Sequence, residues 1–208
     1  MYLKNIKIKN FRKFGEESNL IEFVSQKDAL STDDINIAKA TTLIVGKNNS
    51  GKTTITEALV KLIDKKAFNE NDYNFVYLNN LLEQYKLDNY DSLPKFEFEL
   101  VIGLEESDDE NDLVTNIVPF LDIENVEKKD FKIMIKYIIE EEPILQEEIK
   151  KIIEKYKDDD YVLFQKYLEC IGKTKKTIRY YNENGELIKE KFKLKNLINI
   201  KLIQANKM

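Results

Sequence analysis

The residues best equipped to do chemistry are Gly46 to Thr53, "GKNNSGKT", which satisfy G-x-x-x-x-G-K-[ST] at every fixed position. Each residue type has a physical task at that spacing. Gly46 and Gly51 free the backbone to wrap closely, so that successive N–H groups converge on an anion. Those donors stand at the start of a helix, where the dipole favours negative charge. Lys52 supplies a point charge for β- and γ-phosphates. The Thr53 hydroxyl suits magnesium, an ion that takes few protein oxygens and fills its shell with phosphate and water. Lys47, Asn48, Asn49, Ser50 and Thr54 complete the candidate nucleotide-binding set, Lys47 and Asn48 through backbone donors. The bare pattern arises by chance in a chain of this length about once in a hundred times. The expected ligand is a nucleoside triphosphate with Mg2+.

Such a loop needs a strand before it and a helix after it. "TTLIV" (Thr41–Val45) is a β-branched run without a polar break, as a strand buried on both faces requires. After the loop, Ile55, Ala58, Leu59, Leu62 and Ile63 form one apolar stripe at helical spacing. Upstream, "YLKNIKIKNF" reads as a strand with Ile6, Ile8 and Asn10 on one face, and "NLIEFV" (Asn19–Val24) as its hairpin partner. Residues 25–39 read as a surface loop.

Downstream, "FNENDYNFVYLNNLLEQYKL" reads as a turn and a helix, and "KFEFELVIGL" as a strand alternating Phe96, Phe98 and Leu100. An acidic loop, "EESDDEND", and a possible helix from Leu113 come next. "FKIMIKYII" is a further strand. Pro143 suits a first helical turn, and Ile149, Ile152, Ile153 and Tyr156 give the stripe behind it. A second helix is expected over Tyr161–Ile171 with Gly172 as its cap. "KKTIRYYNENGELIKEKF" reads as a hairpin with a type I′ turn at Asn184-Gly185, and "LINIKLIQ" as a closing strand.

Composition narrows the chemistry. The 208 residues hold one cysteine and no histidine, so zinc clusters, a disulfide framework and His-based triads are excluded. No run of about 18 apolar residues exists and the N-terminus is unlike a signal peptide, so a cytoplasmic chain with no membrane partner is expected. The net charge of −5 hides an asymmetry. Residues 173–208 carry ten Lys/Arg against three Asp/Glu, a balance of +7, and the preceding residues carry 23 against 35, a balance of −12. The basic segment is either a solvated lysine-rich face or a contact for nucleic acid. Neither the D-x-x-G nor the N-K-x-D motif of GTPases occurs. Small-molecule kinases start with the loop and carry an arginine-rich lid, whereas Arg12 and Arg179 are the only arginines here.

The order "LKNIKIKNFRKF", "LIEF", "LIVGKNNSGKTTITEAL" resembles the start of the SMC/RecF/RecN/OLD branch of ABC-type ATPases within the AAA family. There an N-F-R-x-F segment precedes a G-x-N-x-[SA]-G-K-[ST] loop. Asn10, Phe11, Arg12 and Phe14 stand in the first motif, and Asn48 and Ser50 in the second. The match is sharp over residues 1–64, and "FNENDYN" is similar to OLD-like and anti-phage ATPases. The resemblance implies that Arg12 lies near the nucleotide or couples the hairpin to it; as a bare residue it reads equally as a surface arginine.

The family's other catalytic parts are not evident. No L-S-x-G signature occurs. "IVPFLDIE" and "IKYIIEE" imitate a Walker B strand, but Pro119 interrupts the first and Lys136 the second, and neither ends in Asp-Glu. The resemblance implies that those motifs lie in a C-terminal lobe, often beyond a helical arm. Gln204 is then a candidate Q-loop residue that contacts magnesium and water; no other catalytic residue is assigned.

The expectation is an α/β P-loop NTPase fold. Residues 1–208 form the N-terminal lobe of an ABC-type head, with the remainder of the head missing. Residues 1–45 supply β-rich opening strands, 46–64 the loop and its helix, and 65–208 an extension of helices and antiparallel strands. The implied function is the ATP-binding half of an ATPase acting on DNA in repair, chromosome maintenance or anti-phage defence. It works as a homodimer of heads or with a second protein subunit. The alternatives are the regulatory domain of an OLD-type Toprim nuclease and a stand-alone nucleotide sensor.

Overall fold

The computed structural model describes residues 2–17, 19–23, 42, 44–48, 50–64, 67–104, 130–189 and 194–198. Strand β1 (Tyr2–Lys9) pairs antiparallel with β2 (Asn19–Glu22), Ile6 opposite Ile21. On its other side β1 pairs with β3 (Phe96–Gly103), which pairs with β4 (Asp130–Ile139), which pairs with β5 (Lys176–Tyr181). The result is a five-stranded sheet in the order β2-β1-β3-β4-β5, antiparallel throughout.

Period-two alternation decides its faces. Ile6, Ile8, Phe96, Phe98, Leu100, Ile133 and Ile135 are buried on one side. On the other, Lys7 and Lys132 reach Glu99 at 2.9 and 3.4 Å, and Lys136 lies 3.9 Å from Glu97. Burial alone would raise the Glu99 carboxyl, but the hydrogen bond from Lys7 and the charge of Lys132 hold it below its ordinary value. Such half-exposed pairs contribute little to stability and keep this face wet.

The apolar face shares one core with four helices: α1 (Lys52–Ile63), α2 (Phe75–Lys86), α3 (Glu142–Tyr156) and α4 (Asp160–Lys173). The apolar stripe expected behind the loop is the buried side of α1, through Ile55, Ala58, Leu62 and Ile63. Asn74 caps α2 by accepting from the Tyr77 N–H, and Asp159 caps α4 by accepting from the Val162 N–H. Pro143 sits in the first turn of α3, where its missing N–H costs nothing. Phe11, Phe68, Phe96 and Phe98 meet ring to ring at the centre, between 5.0 and 6.1 Å apart. No helix among the described residues is long and apolar enough to cross a membrane.

Four sequence expectations are corrected. Gly172 lies inside α4, which runs on to Lys173; the cap is Thr174, whose hydroxyl donates to the Cys170 carbonyl at 2.8 Å. The β5 turn is not type I′, because Gly185 has φ +80° while Asn184 keeps a negative φ. Asn182 closes that turn instead, accepting from the Gly185 N–H on its carbonyl and from the Asn184 and Glu186 N–H groups on its side chain. In "LINIKLIQ", Leu197 and Ile198 follow a 3-10 turn at Leu194–Asn196 rather than forming a strand; its remaining residues lie outside those described. In "TTLIV", Thr42, Ile44 and Val45 are not in a strand and Val45 is 77% exposed, while Thr41 and Leu43 are outside the described residues. Among the described residues the sheet is antiparallel and does not include Ile44 or Val45, and a strand buried on both faces needs strand neighbours. The acidic loop, residues 113–124 with the "IVPFLDIE" imitation, and residues 25–39 also lie outside the described residues.

Candidate phosphate site

The loop takes its shape from its two glycines. A Cβ on Gly46 would stand 2.7 Å from Ser50 Oγ, and Ser50 N–H donates to the Lys47 carbonyl at 3.2 Å, closing the turn. Gly51 has φ +98°, a left-handed conformation that a side chain strains, and a Cβ there would lie 3.3 Å from the Phe14 ring. It is also the N-cap of α1, with no side chain bonded to the first-turn donors and no acidic residue in the first turn. The helix start therefore keeps N–H groups and positive dipole for an anion.

Lys52 Nζ donates to the carbonyls of Gly46 and Lys47 at 2.6 and 2.7 Å, so its ammonium lies over the mouth of the loop. Asn48, Gly51, Lys52, Thr53 and Thr54 line one cleft of about 260 Å³, together with Lys13 from the first hairpin. Thr53 is exposed there and Thr54 is buried. Asn49 and Gln204 lie outside the described residues. The donor set fits a polyphosphate: two glycines at close approach, an uncapped helix start, a lysine and an exposed hydroxyl. Among the described residues, no group of three or more Asp, Glu, Cys or His stands ready to hold a metal by itself. Magnesium at Thr53 would thus lean on phosphate oxygens.

The hairpin tip is anchored beside the loop. Asn10 and Arg12 take left-handed φ values of +59° and +49°, and the tip is sewn to residues 72–74. Arg12 N–H donates to the Asp72 carbonyl at 2.8 Å, Asn74 N–H to the Asn10 carbonyl at 2.9 Å, and Asn74 Nδ2 to the Arg12 carbonyl at 2.7 Å. The Arg12 guanidinium binds Asp72 Oδ1 at 2.9 Å and also pairs with Glu57 of α1. Asp72 is fully buried, and its second oxygen takes Lys61 of α1 and the Asn69 N–H, the latter at 2.9 Å. Burying a carboxylate is tolerable only with such a full set of donors. Arg12 is thereby tied into a network that joins hairpin, helix α1 and the Glu70–Asp72 turn.

Sequence reasoning missed Glu57, Lys61, Asp72 and Lys13. Glu57 and Lys61 stand four apart on α1, which reads as an ordinary helix pair; only the fold shows both turned to partners outside the helix. Of the Walker B imitations, "IKYIIEE" lies at the end of β4, where Glu140 pairs with Lys175 at 2.7 Å.

A family model described as AAA ATPase domain matches residues 1–207. The chain is also 44% identical, over 222 aligned residues, to "Endonuclease GajA" of Bacillus cereus (strain HuB5-5). That alignment takes in 99% of this chain and 32% of that protein, so the chain spans about a third of the relative's length. Both matches agree with the OLD-like, AAA-family resemblance carried by the N-F-R-x-F and loop motifs.

Proposed function

Because the chain belongs to the AAA ATPase domain family, we propose that it is the Mg-ATP-binding half of an ABC-type, SMC/RecF/OLD-like ATPase head. The observation that carries this is the loop itself: Lys52 set over the Gly46 and Lys47 carbonyls beside a helix that starts, uncapped, at a left-handed Gly51. In this reading the first-turn N–H groups and Lys52 hold the phosphates, and Thr53 offers its hydroxyl to magnesium. The ion supplies charge neutralisation to the phosphates. Arg12, held by Glu57 and Asp72, transmits the position of α1 to the hairpin. Asn49 and Gln204 remain candidate contacts, the latter for magnesium and water.

Turnover needs a water-polarising carboxylate, and hydrolysis accordingly awaits a C-terminal lobe and pairing of heads. Val45 is consistent with this: beside the loop it stands exposed and outside the described sheet, an apolar side chain that strands of a further lobe would cover. The relative's name, an endonuclease of which this chain matches about a third, favours a whole protein in which this ATPase regulates nucleic-acid cleavage; DNA as the partner and anti-phage defence as the setting follow from the OLD-like resemblance of the motifs.

Isothermal titration of the chain with Mg-ATP tests the core of the proposal. Binding that Lys52→Ala abolishes, with an unchanged melting temperature and negligible turnover, is expected. Equal ATP affinity in wild type and Lys52→Ala would overturn it.

A further inference from the structure

Helices α3 and α4 fold back on each other across residues 157–159, and their inner sides are committed to the core: Leu145, Ile149, Leu163, Tyr167 and Ile171 are fully buried. Their outer sides leave a groove of about 490 Å³ along the hairpin, and every residue that lines it belongs to these two helices or their ends. The floor is apolar, with Ile152, Tyr156 and Cys170 half-buried, and Ile144 stands on the rim 56% exposed. We infer that this groove is a self-association surface, in which α3 of one copy lies antiparallel to α3 of a second copy of the chain across a two-fold axis.

The charge order of α3 selects a second copy as the occupant. Residues 140–148 hold five glutamates and no lysine or arginine, and residues 149–157 hold four lysines and one glutamate. An acidic half followed by a basic half is complementary to itself when two copies run in opposite directions, the condition that a two-fold contact imposes. The helix macrodipole favours the same order, but only within the first and last turns. Here the division reaches the middle of the helix, where Glu147 and Glu148 meet Lys150 and Lys151. Lys151 lies 2.9 Å from both glutamates, so the central charges are already neutralised where the axis sets like residues face to face. On α4, Lys166 is paired with Glu169 at 3.0 Å, and Lys173 stands in the last turn, where the dipole accommodates it. Glu141 and Lys155 are different, because neither forms an ion pair among the described residues. Lys175, close to Glu141, is held by Glu140 at 2.7 Å, and Lys155 reaches only the ring of Tyr156. Glu141 and Lys155 lie seven residues either side of Glu148, and Ile144 and Ile152 lie four. An axis at Glu148 therefore sets Glu141 of each copy opposite Lys155 of the other, and Ile144 opposite Ile152. Ile144 then closes the floor of the facing groove, apolar burial supplies the affinity, and the charges set the direction. The face is two helices wide and about four turns long, small for a permanent dimer, so the association is reversible. It shares no residue with the phosphate cleft, needs no nucleotide, and is distinct from the pairing of heads.

Sedimentation velocity of the full chain without nucleotide, over about 1–200 µM, is the test. The mass should climb from the 24.5 kDa of one chain toward twice that value, and equally in Lys52→Ala. Ile144→Lys should weaken the association at least about tenfold. Glu141→Lys and Lys155→Glu should each weaken it about fivefold, by setting like charges opposite each other. An equimolar mixture of those two variants should regain wild-type association, because each then offers the other the opposite charge at both contacts. Neither damage to the fold nor a general change of charge produces that recovery. A chain that keeps monomer mass throughout overturns the inference, as does a mixture that associates no better than its two components. A dimer that forms only with Mg-ATP and is lost in Lys52→Ala is the pairing of heads, and it too overturns this surface. Should Ile144→Lys lose helical ellipticity, the mixture decides, since Glu141 and Lys155 are exposed.

Discussion

The antiparallel sheet and the phosphate loop lie in one chain but are built to different standards. Across β1, β3 and β4 nearly every inward side chain is buried, from Ile6 and Ile8 through Phe98 to Ile133. Along Ile44–Ser50 the described residues are exposed or half-buried, and Val45 stands 77% exposed. The sheet meets its needs from within the chain, by backbone pairing and aromatic packing. The loop meets its needs from two glycines and a lysine, with its donors turned outward. Stability and ligand chemistry are therefore separable here, except at Asp72, where they are joined.

Asp72 offers the largest break. Asp72→Ala leaves Arg12 and Lys61 without their shared buried partner, so that the hairpin tip keeps only the Arg12–Glu57 ion pair to α1. A loss of about 3 kcal/mol in urea denaturation is expected, together with weaker ATP binding. A variant that kept wild-type stability would mean that the two regions are not coupled through this carboxylate.

High pH should act on the core and spare the loop until the core fails. Tyr73, Tyr77, Tyr85, Tyr137 and Tyr167 are buried, and burial pushes the hydroxyls of Tyr73 and Tyr167 well above their ordinary value. Tyr137 is pushed up to about 12, by burial first and then by the charges of Asp72 and Glu70. The sign follows from linkage. A group with a raised folded pKa keeps its proton in the folded state, so its contribution is intact below the unfolded value of about 10 and is lost as pH climbs from there. Tyrosinate absorbance at 295 nm should rise in two stages, exposed rings first and the buried set together with loss of helical ellipticity. Smooth titration of all tyrosines near pH 10 in a folded chain would contradict the packed core.

The smallest effect belongs to Val45. Val45→Ser should change stability by less than about 0.5 kcal/mol, as for other exposed positions. A cost of 2 kcal/mol or more would place Val45 in a buried strand within this chain and blur the contrast.

Much of this was legible in one dimension. "KFEFELVIG" and "FKIMIKYII" announce their strands because alternation is a local property of a pleated backbone. The loop was legible residue by residue, since Gly46, Gly51, Lys52 and Thr53 act through chain neighbours. Gly172 and Asn184-Gly185 misled because a turn-former can also be placed in a helix or in a longer turn, and Thr174 and Asn182 offered the competing hydrogen bonds. Glu57 and Lys61 read only as an ordinary helix pair and Asp72 as part of a turn, so nothing local pointed to the network they share. Their partners are set by how α1 and the hairpin tip come together.

The sequence by itself determined the loop's chemistry, the strand and helix periods, and the absence of histidine and disulfide chemistry, because each depends on composition or on neighbours a few residues apart. Only the tertiary structure decided that Arg12 and Lys61 share one buried aspartate, that Lys13 of the first hairpin lines the phosphate cleft, and that Val45 lies exposed outside the described strands. Those facts depend on which distant surfaces bury one another, and desolvation, which chooses among them, acts on the folded chain as a whole.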